Sequence, residues 1–146
     1  MLKQRIITAL ILLAILLPAL FYPAPEPFVL IVLVLIAAGA WEWGRLNRCG
    51  QPSSLLLALV CLGLCGGSWA MGWVNQPLPM FWSVAGLAWV LGGGWLLHRG
   101  VAGWSSIPAG VRLTGGILAL WLAWLAVAQA RVIGINFLLS ILVLVW

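Results

Sequence analysis

Phe28-Val29-Leu30-Ile31-Val32-Leu33-Val34-Leu35-Ile36-Ala37-Ala38-Gly39-Ala40-Trp41-Glu42-Trp43-Gly44-Arg45-Leu46 decides the fold. Its apolar run from Phe28 to Trp43 approaches the roughly 20 residues that a bilayer core demands of a helix. It ends in two tryptophans beside a Glu and an Arg, and indole rings with adjacent charge settle at a membrane–water boundary. In hydrocarbon every backbone N–H and C=O must be satisfied within the segment, so such a run is a helix. Composition extends this reading to the whole chain. Of 146 residues, 65% are hydrophobic, 6% are charged, and the mean hydropathy is +1.20. Soluble domains carry about 25% charged residues, because a water-facing surface needs them. The solvent for most of this surface is therefore lipid.

Outward from that segment, further spans are expected. Ile6 to Tyr22 follows Lys3 and Arg5. It is long enough to cross, and it leads into Pro23-Ala24-Pro25-Glu26-Pro27 rather than a small-residue cleavage site, so it reads as an uncleaved helix that Pro18 is placed to kink. Leu55 to Val74 forms a third span, broken by Asn75-Gln76-Pro77, and Met80 to Leu97 a fourth, interrupted by Gly92-Gly93-Gly94. Leu113 to Ala130 is the fifth, and a sixth begins after Arg131 and still runs at Trp146. The expectation is an all-α polytopic transmembrane bundle over residues 1–146, with five complete spans and the start of a sixth, forming a single domain.

The basic residues set the orientation. With a cytoplasmic N-terminus, Lys3, Arg5, Arg45, Arg48, Arg99 and Arg112 are all cytoplasmic, Glu26 is outside, and only Arg131 breaks the positive-inside rule. Each lies near the edge of an apolar run, where it meets lipid phosphates. The +5 net charge does not indicate nucleic-acid binding, since that requires clustered Lys and Arg on one face.

Chemistry-bearing residues are few. Glu42 and Arg45 have i,i+3 spacing, which allows an ion pair that lowers the cost of a carboxylate near lipid. The pair either fixes helix depth or faces a site between helices, which makes these two the candidates for substrate binding. His98 beside Arg99 reads as a boundary histidine. Cys61 and Cys65 share a helix face and read as buried thiols, neither disulfide nor metal site. Gly63-x-x-x-Gly67 and Gly92-Gly93-Gly94 are patches that permit close helix approach, and the triple glycine is placed to loosen the fourth helix. The tryptophans read as interface anchors and packing. There is no aspartate, and Glu26 and Glu42 are the only acids, so no catalytic residue and no site for Mg²⁺ with a nucleotide triphosphate is expected here.

Three stretches carry a resemblance. Met1-Leu2-Lys3-Gln4-Arg5-Ile6-Ile7-Thr8-Ala9-Leu10, Gly39-Ala40-Trp41-Glu42-Trp43-Gly44-Arg45-Leu46, and the run from Leu138 to Trp146 resemble bacterial phosphatidate cytidylyltransferases, or CDP-diacylglycerol synthases. The resemblance implies an inner-membrane enzyme of phospholipid biosynthesis that combines CTP and phosphatidate into CDP-diacylglycerol and pyrophosphate with Mg²⁺. It also implies that 1–146 is the N-terminal membrane portion, preceding a catalytic half with Ala-Asp-x-Gly-Ala-Tyr and Ser-Pro-Gly-Lys-Thr segments. Glu42 and Arg45 match the family pattern without a catalytic role. The competing reading is a small non-enzymatic scaffold or complex subunit whose glycine faces bind partner helices. A transporter fragment would need mid-membrane ionisable residues or inverted repeats, and neither is found. Assembly as a homo-oligomer is left open.

Overall fold

The computed structural model describes residues 2–145, with the side chains of residues 2–5, 102, 105 and 145 outside the description. The expected anchoring roles of Lys3 and Arg5, and the reading at Trp146, lie outside the described residues. The chain is all helical: α1 Leu2–Phe21, α2 Glu26–Leu46, α3 Gln51–Ala70, α4 Pro79–Gly103, a short 3₁₀ turn Trp104–Ser106, α5 Ala109–Ile133 and α6 Ile135–Val145. Four segments are long and apolar enough to cross a membrane: Glu26–Leu46, Gln51–Ala70, Pro79–Val101 and Ala109–Ile133. The apolar stretches Ile6–Phe21 of α1 and Ile135–Leu144 of α6 are shorter.

Successive helices alternate in direction, giving the bundle an Arg45 end and a Glu26 end. Helices α2, α3 and α5 form the centre, with Val29 and Ala40 of α2, Cys61 and Cys65 of α3, and Trp124 and Leu125 of α5 buried together. Ala19 and Leu20 of α1 and Leu138 of α6 close a second cluster around Phe28 and Ala130 at the Glu26 end. No described residue of α4 is buried.

Two helix ends are set by left-handed residues rather than by the prolines and polar residues that follow. Helix α3 stops at Ala70, short of the expected Val74, because Gly72 adopts φ 76°. The Gly72 N–H then donates to the Trp69 carbonyl at 2.9 Å and the Trp73 N–H to Ser68 at 3.0 Å, the paired bonds of a Schellman motif. Helix α2 ends the same way, with Arg48 N–H to Arg45 at 2.9 Å and Cys49 N–H to Gly44 at 3.0 Å. There the left-handed position is held by Arg48 at φ 62°, where a Cβ crowds the carbonyl. Arg48→Gly is therefore expected to raise stability by about 0.5–1 kcal/mol, after the glycine's greater unfolded-state entropy is subtracted. Reversible unfolding in mixed micelles checks this, and a loss of stability would contradict it.

The glycine expectations are corrected in two respects. A Cβ added at Gly63, Gly67, Gly92, Gly93 or Gly94 would meet nothing within 4 Å, so these patches bring no helices together. Close approach occurs at Gly44, where a Cβ would sit 2.9 Å from the Ser54 Cα and 2.8 Å from its Oγ, and at Gly116, where it would overlap the Trp43 indole. Nor does the triple glycine break α4. The non-helical residue is Gly100, at φ 65° and ψ −178°, beyond the expected end at Leu97. A helical glycine keeps its i→i−4 bonds whatever its propensity, whereas a left-handed residue interrupts them. Helix α1 likewise continues through Pro18 to Phe21.

Candidate functional site

Polar and aromatic groups gather at the Arg45 end. Glu42 and Arg45 form the expected ion pair, Nη1 to Oε1 at 3.1 Å, with both side chains about half exposed (53% and 52%). A pair so open to its surroundings contributes little stability. The Arg45 guanidinium also lies 4.9 Å from the Trp41 ring centroid. Trp43, two residues beyond Trp41 and so facing the opposite way, turns into the protein: its Nε1 donates to the Arg112 carbonyl at 3.3 Å, and its ring meets Trp104 edge-on at 6.0 Å. The Arg112 guanidinium sits 5.8 Å from the Trp104 ring, and its Nε is buried without a hydrogen bond. Arg99 stacks at 4.3 Å on Trp95 and donates from Nη1 to the Ser106 Oγ at 3.3 Å. His98 is exposed on the same helix end.

Below this rim, α4 and α5 diverge. Helix α4 is tied down near the Glu26 end, where Phe81 packs on Trp121 at 5.9 Å and on Trp73 at 5.7 Å, and Trp82 donates to the Gln129 Oε1 at 2.6 Å. Between that tie and the Trp43–Trp104 contact lies an apolar cleft of about 760 Å³. Ala85, Ala88, Gly92, Gly93, Gly115 and Gly116 line its walls together with larger apolar side chains such as Trp89, Leu96, Leu118 and Leu122. Among the described residues, Arg112 contributes the only charged side chain to the lining.

The opposite end corrects the reading of Arg131. It does not project toward lipid phosphates but is buried, its Nη2 donating to the Tyr22 carbonyl in the α1–α2 link while its Nε has no partner. The guanidinium clamps the link onto the end of α5. The tryptophans also do more than anchor and pack. Trp43, Trp82, Trp121 and Trp124 each donate an indole N–H to another element. Cys61 and Cys65 are fully buried in α3, as their shared helix face implies.

Among the described residues no three His, Cys, Asp or Glu side chains converge. Glu26 and Glu42 stand 16 residues apart on α2, about 24 Å at 1.5 Å per residue. They cannot share a cation, and Glu42 already faces Arg45. The residues present do not fit a Mg²⁺ site.

The molecule is thus a polytopic membrane protein with a cationic, tryptophan-rich rim above an apolar cleft and without carboxylates to hold a metal. It belongs to the cytidylyltransferase family, whose model matches residues 3–146. A phosphatidate cytidylyltransferase of Pseudomonas aeruginosa is 52% identical over 46 residues, which is 32% of this chain and 17% of that protein. One of Haemophilus influenzae is 38% identical over 64 residues, 44% of this chain and 22% of that protein. The chain thus spans about a fifth of the length of the curated relatives it matches. No solved structure matches it.

Proposed function

We propose that this chain is the lipid-embedded part of a phosphatidate cytidylyltransferase, catalysing CTP + phosphatidate → CDP-diacylglycerol + pyrophosphate in phospholipid biosynthesis. The carrying observation is the family match across 3–146. In the reaction an oxygen of the lipid phosphate bonds to the α-phosphorus of CTP, and the bond to the β-phosphate oxygen breaks, its electron pair leaving with pyrophosphate. Divalent metal, expected to be Mg²⁺, neutralises charge on the attacking and leaving oxygens in transfers of this kind. This reading places its ligands outside residues 1–146, since Glu26 and Glu42 stand far apart on α2.

This chain's contribution is to hold the lipid. Arg45, Arg48, Arg99 and Arg112 form a cationic rim at headgroup level, with Glu42 and Arg45 the candidates for contact with the substrate. The bundle is read as five spans and the start of a sixth in a bacterial inner membrane, with the Arg45 end cytoplasmic, where CTP is found. A cysteine placed at Arg48 should accordingly resist an impermeant thiol reagent added to intact cells, and rapid labelling would reverse the orientation.

The activity test is CTP-dependent formation of CDP-diacylglycerol from phosphatidate. The intact gene product should turn over, whereas residues 1–146 expressed alone should give no product above background. Absence of turnover by the intact product would remove the enzymatic reading. Turnover by 1–146 alone would show that the metal-binding acids are not required where this reading places them.

A further inference from the structure

We infer that the cleft between α4 and α5 receives an acyl chain of phosphatidate from the leaflet at the Arg45 end, with the Arg112 guanidinium meeting the lipid phosphate. This rests on the function proposed above and assigns its lipid subsite to named residues.

The depth of the cleft is one argument. Its α4 wall runs from Ala85 to Leu97, about 18 Å at 1.5 Å per residue. A hydrocarbon core is about 30 Å thick, so one leaflet contributes roughly 15 Å. The cleft is therefore one leaflet deep, and the Phe81–Trp121 contact and the Trp82–Gln129 hydrogen bond lie at its far end. Glycine and alanine share its walls with Trp89, Leu96, Leu118 and Leu122, giving an apolar slot for a flexible chain.

Charge supplies the second argument. The polar exception is at the mouth, where Arg112 lines the cleft with a buried Nε that makes no hydrogen bond. The guanidinium is a charge-assisted donor, so an anionic oxygen arriving at the mouth would pair with it. The surroundings reinforce the sign. Arg99 is held beside the mouth by Trp95 and Ser106. The only acid at this end, Glu42, is neutralised by Arg45. A phosphomonoester, with close to two negative charges, suits two guanidinium groups better than a zwitterionic headgroup does. Trp43, Trp95 and Trp104 ring the mouth, at the depth where indoles meet headgroups.

The test is photocrosslinking of the intact gene product in phosphatidylcholine nanodiscs, with phosphatidate carrying a diazirine midway along one acyl chain. Adducts should concentrate in the peptides spanning 85–97 and 115–122. Gly93→Leu, which places a side chain in the slot on a helix-favouring residue, should lower cleft adducts at least fivefold, while Gly93→Ala lowers them less. Arg112→Gln should reduce the preference for the phosphatidate probe over the matching phosphatidylcholine probe at least fivefold. Unlabelled phosphatidate should compete better than phosphatidylglycerol.

Adducts spread evenly over the lipid-facing sides of α1 and α3, and insensitive to Gly93→Leu, would overturn the assignment. So would crosslinking of Ala88→Cys to a second copy or to another protein segment filling the cleft. Equal competition by phosphatidylglycerol would overturn the choice of a phosphomonoester. If cleft labelling holds but the intact product fails to turn over with CTP, the enzymatic reading falls while the lipid site stands. If turnover holds without cleft labelling, the reverse applies.

Discussion

Replacing Gln129 with leucine is expected to destabilise the bundle by about 2–4 kcal/mol. The Gln129 side chain sits near the Glu26 end of α5, buried, and its amide joins three other groups. Its Oε1 accepts from the Trp82 indole at 2.6 Å, and its Nε2 donates to the Trp73 carbonyl at 2.6 Å and the Gln76 carbonyl at 3.0 Å. One side chain thereby fastens both the α3–α4 link and the start of α4 onto α5. A leucine there occupies similar space but satisfies none of these groups. Interhelical hydrogen bonds in membranes are individually modest, about 0.6 kcal/mol on average, so three supply roughly 2 kcal/mol. The upper part of the range comes from polar atoms left orphaned in an apolar setting. Gln129→Glu should also destabilise, because a carboxylate cannot donate to the two carbonyls. Denaturation in mixed micelles, together with protease access to the α3–α4 link, checks the claim. A Gln129→Leu variant with unchanged midpoint would mean that α4 is held by other contacts.

The other large effect is expected at Gly116. An alanine Cβ there would overlap the Trp43 ring, which is fixed on one side by its hydrogen bond to the Arg112 carbonyl and on another by the Trp104 edge. The indole is too rigid to yield by a rotamer change of its tip, so it must move whole and lose both contacts. Overpacking of this kind costs about 1–3 kcal/mol, and the lost hydrogen bond adds about 0.5–1 kcal/mol. Gly115→Ala is the matched control. Nothing lies within 4 Å of its Cβ, and alanine favours the helix, so it should be neutral or stabilising by up to about 1 kcal/mol. Equal behaviour of the two variants would mean that Trp43 is not packed as described. Because Trp43 stands at the cleft mouth, Gly116→Ala should also disturb lipid capture, which separates it from Gln129→Leu at the far end.

Much of this was readable in advance. The apolar run 28–43 and the nine charges imply membrane helices wherever the chain turns. The i,i+3 spacing places Glu42 against Arg45, and the i,i+4 spacing puts Cys61 and Cys65 on one face. Each of these is local, decided within a turn or by the mean solvent. The cleft was not readable, because Ala85, Gly92 and Gly116 become its walls only through the divergence of two helices. The inward role of Arg131 was hidden too, since a basic residue at a helix end reads as a headgroup anchor until the α1–α2 link is seen folded over it.

The glycines mark the division most clearly. Gly63 and Gly67 have the spacing of a helix-contact motif and face open space, whereas Gly44 and Gly116 sit against Ser54 and Trp43. The sequence by itself determined that this protein is helical and membrane-embedded, and which ends carry the charge. In lipid the backbone has no other partner than itself, and charged residues are excluded from the core. Only the tertiary structure decided which helices meet and where they part. With lipid as apolar as the side chains, burial gives helices no preferred partner, and the choice passes to small-residue fit and to hydrogen bonds such as those of Gln129, whose groups lie some 50 residues apart in the chain.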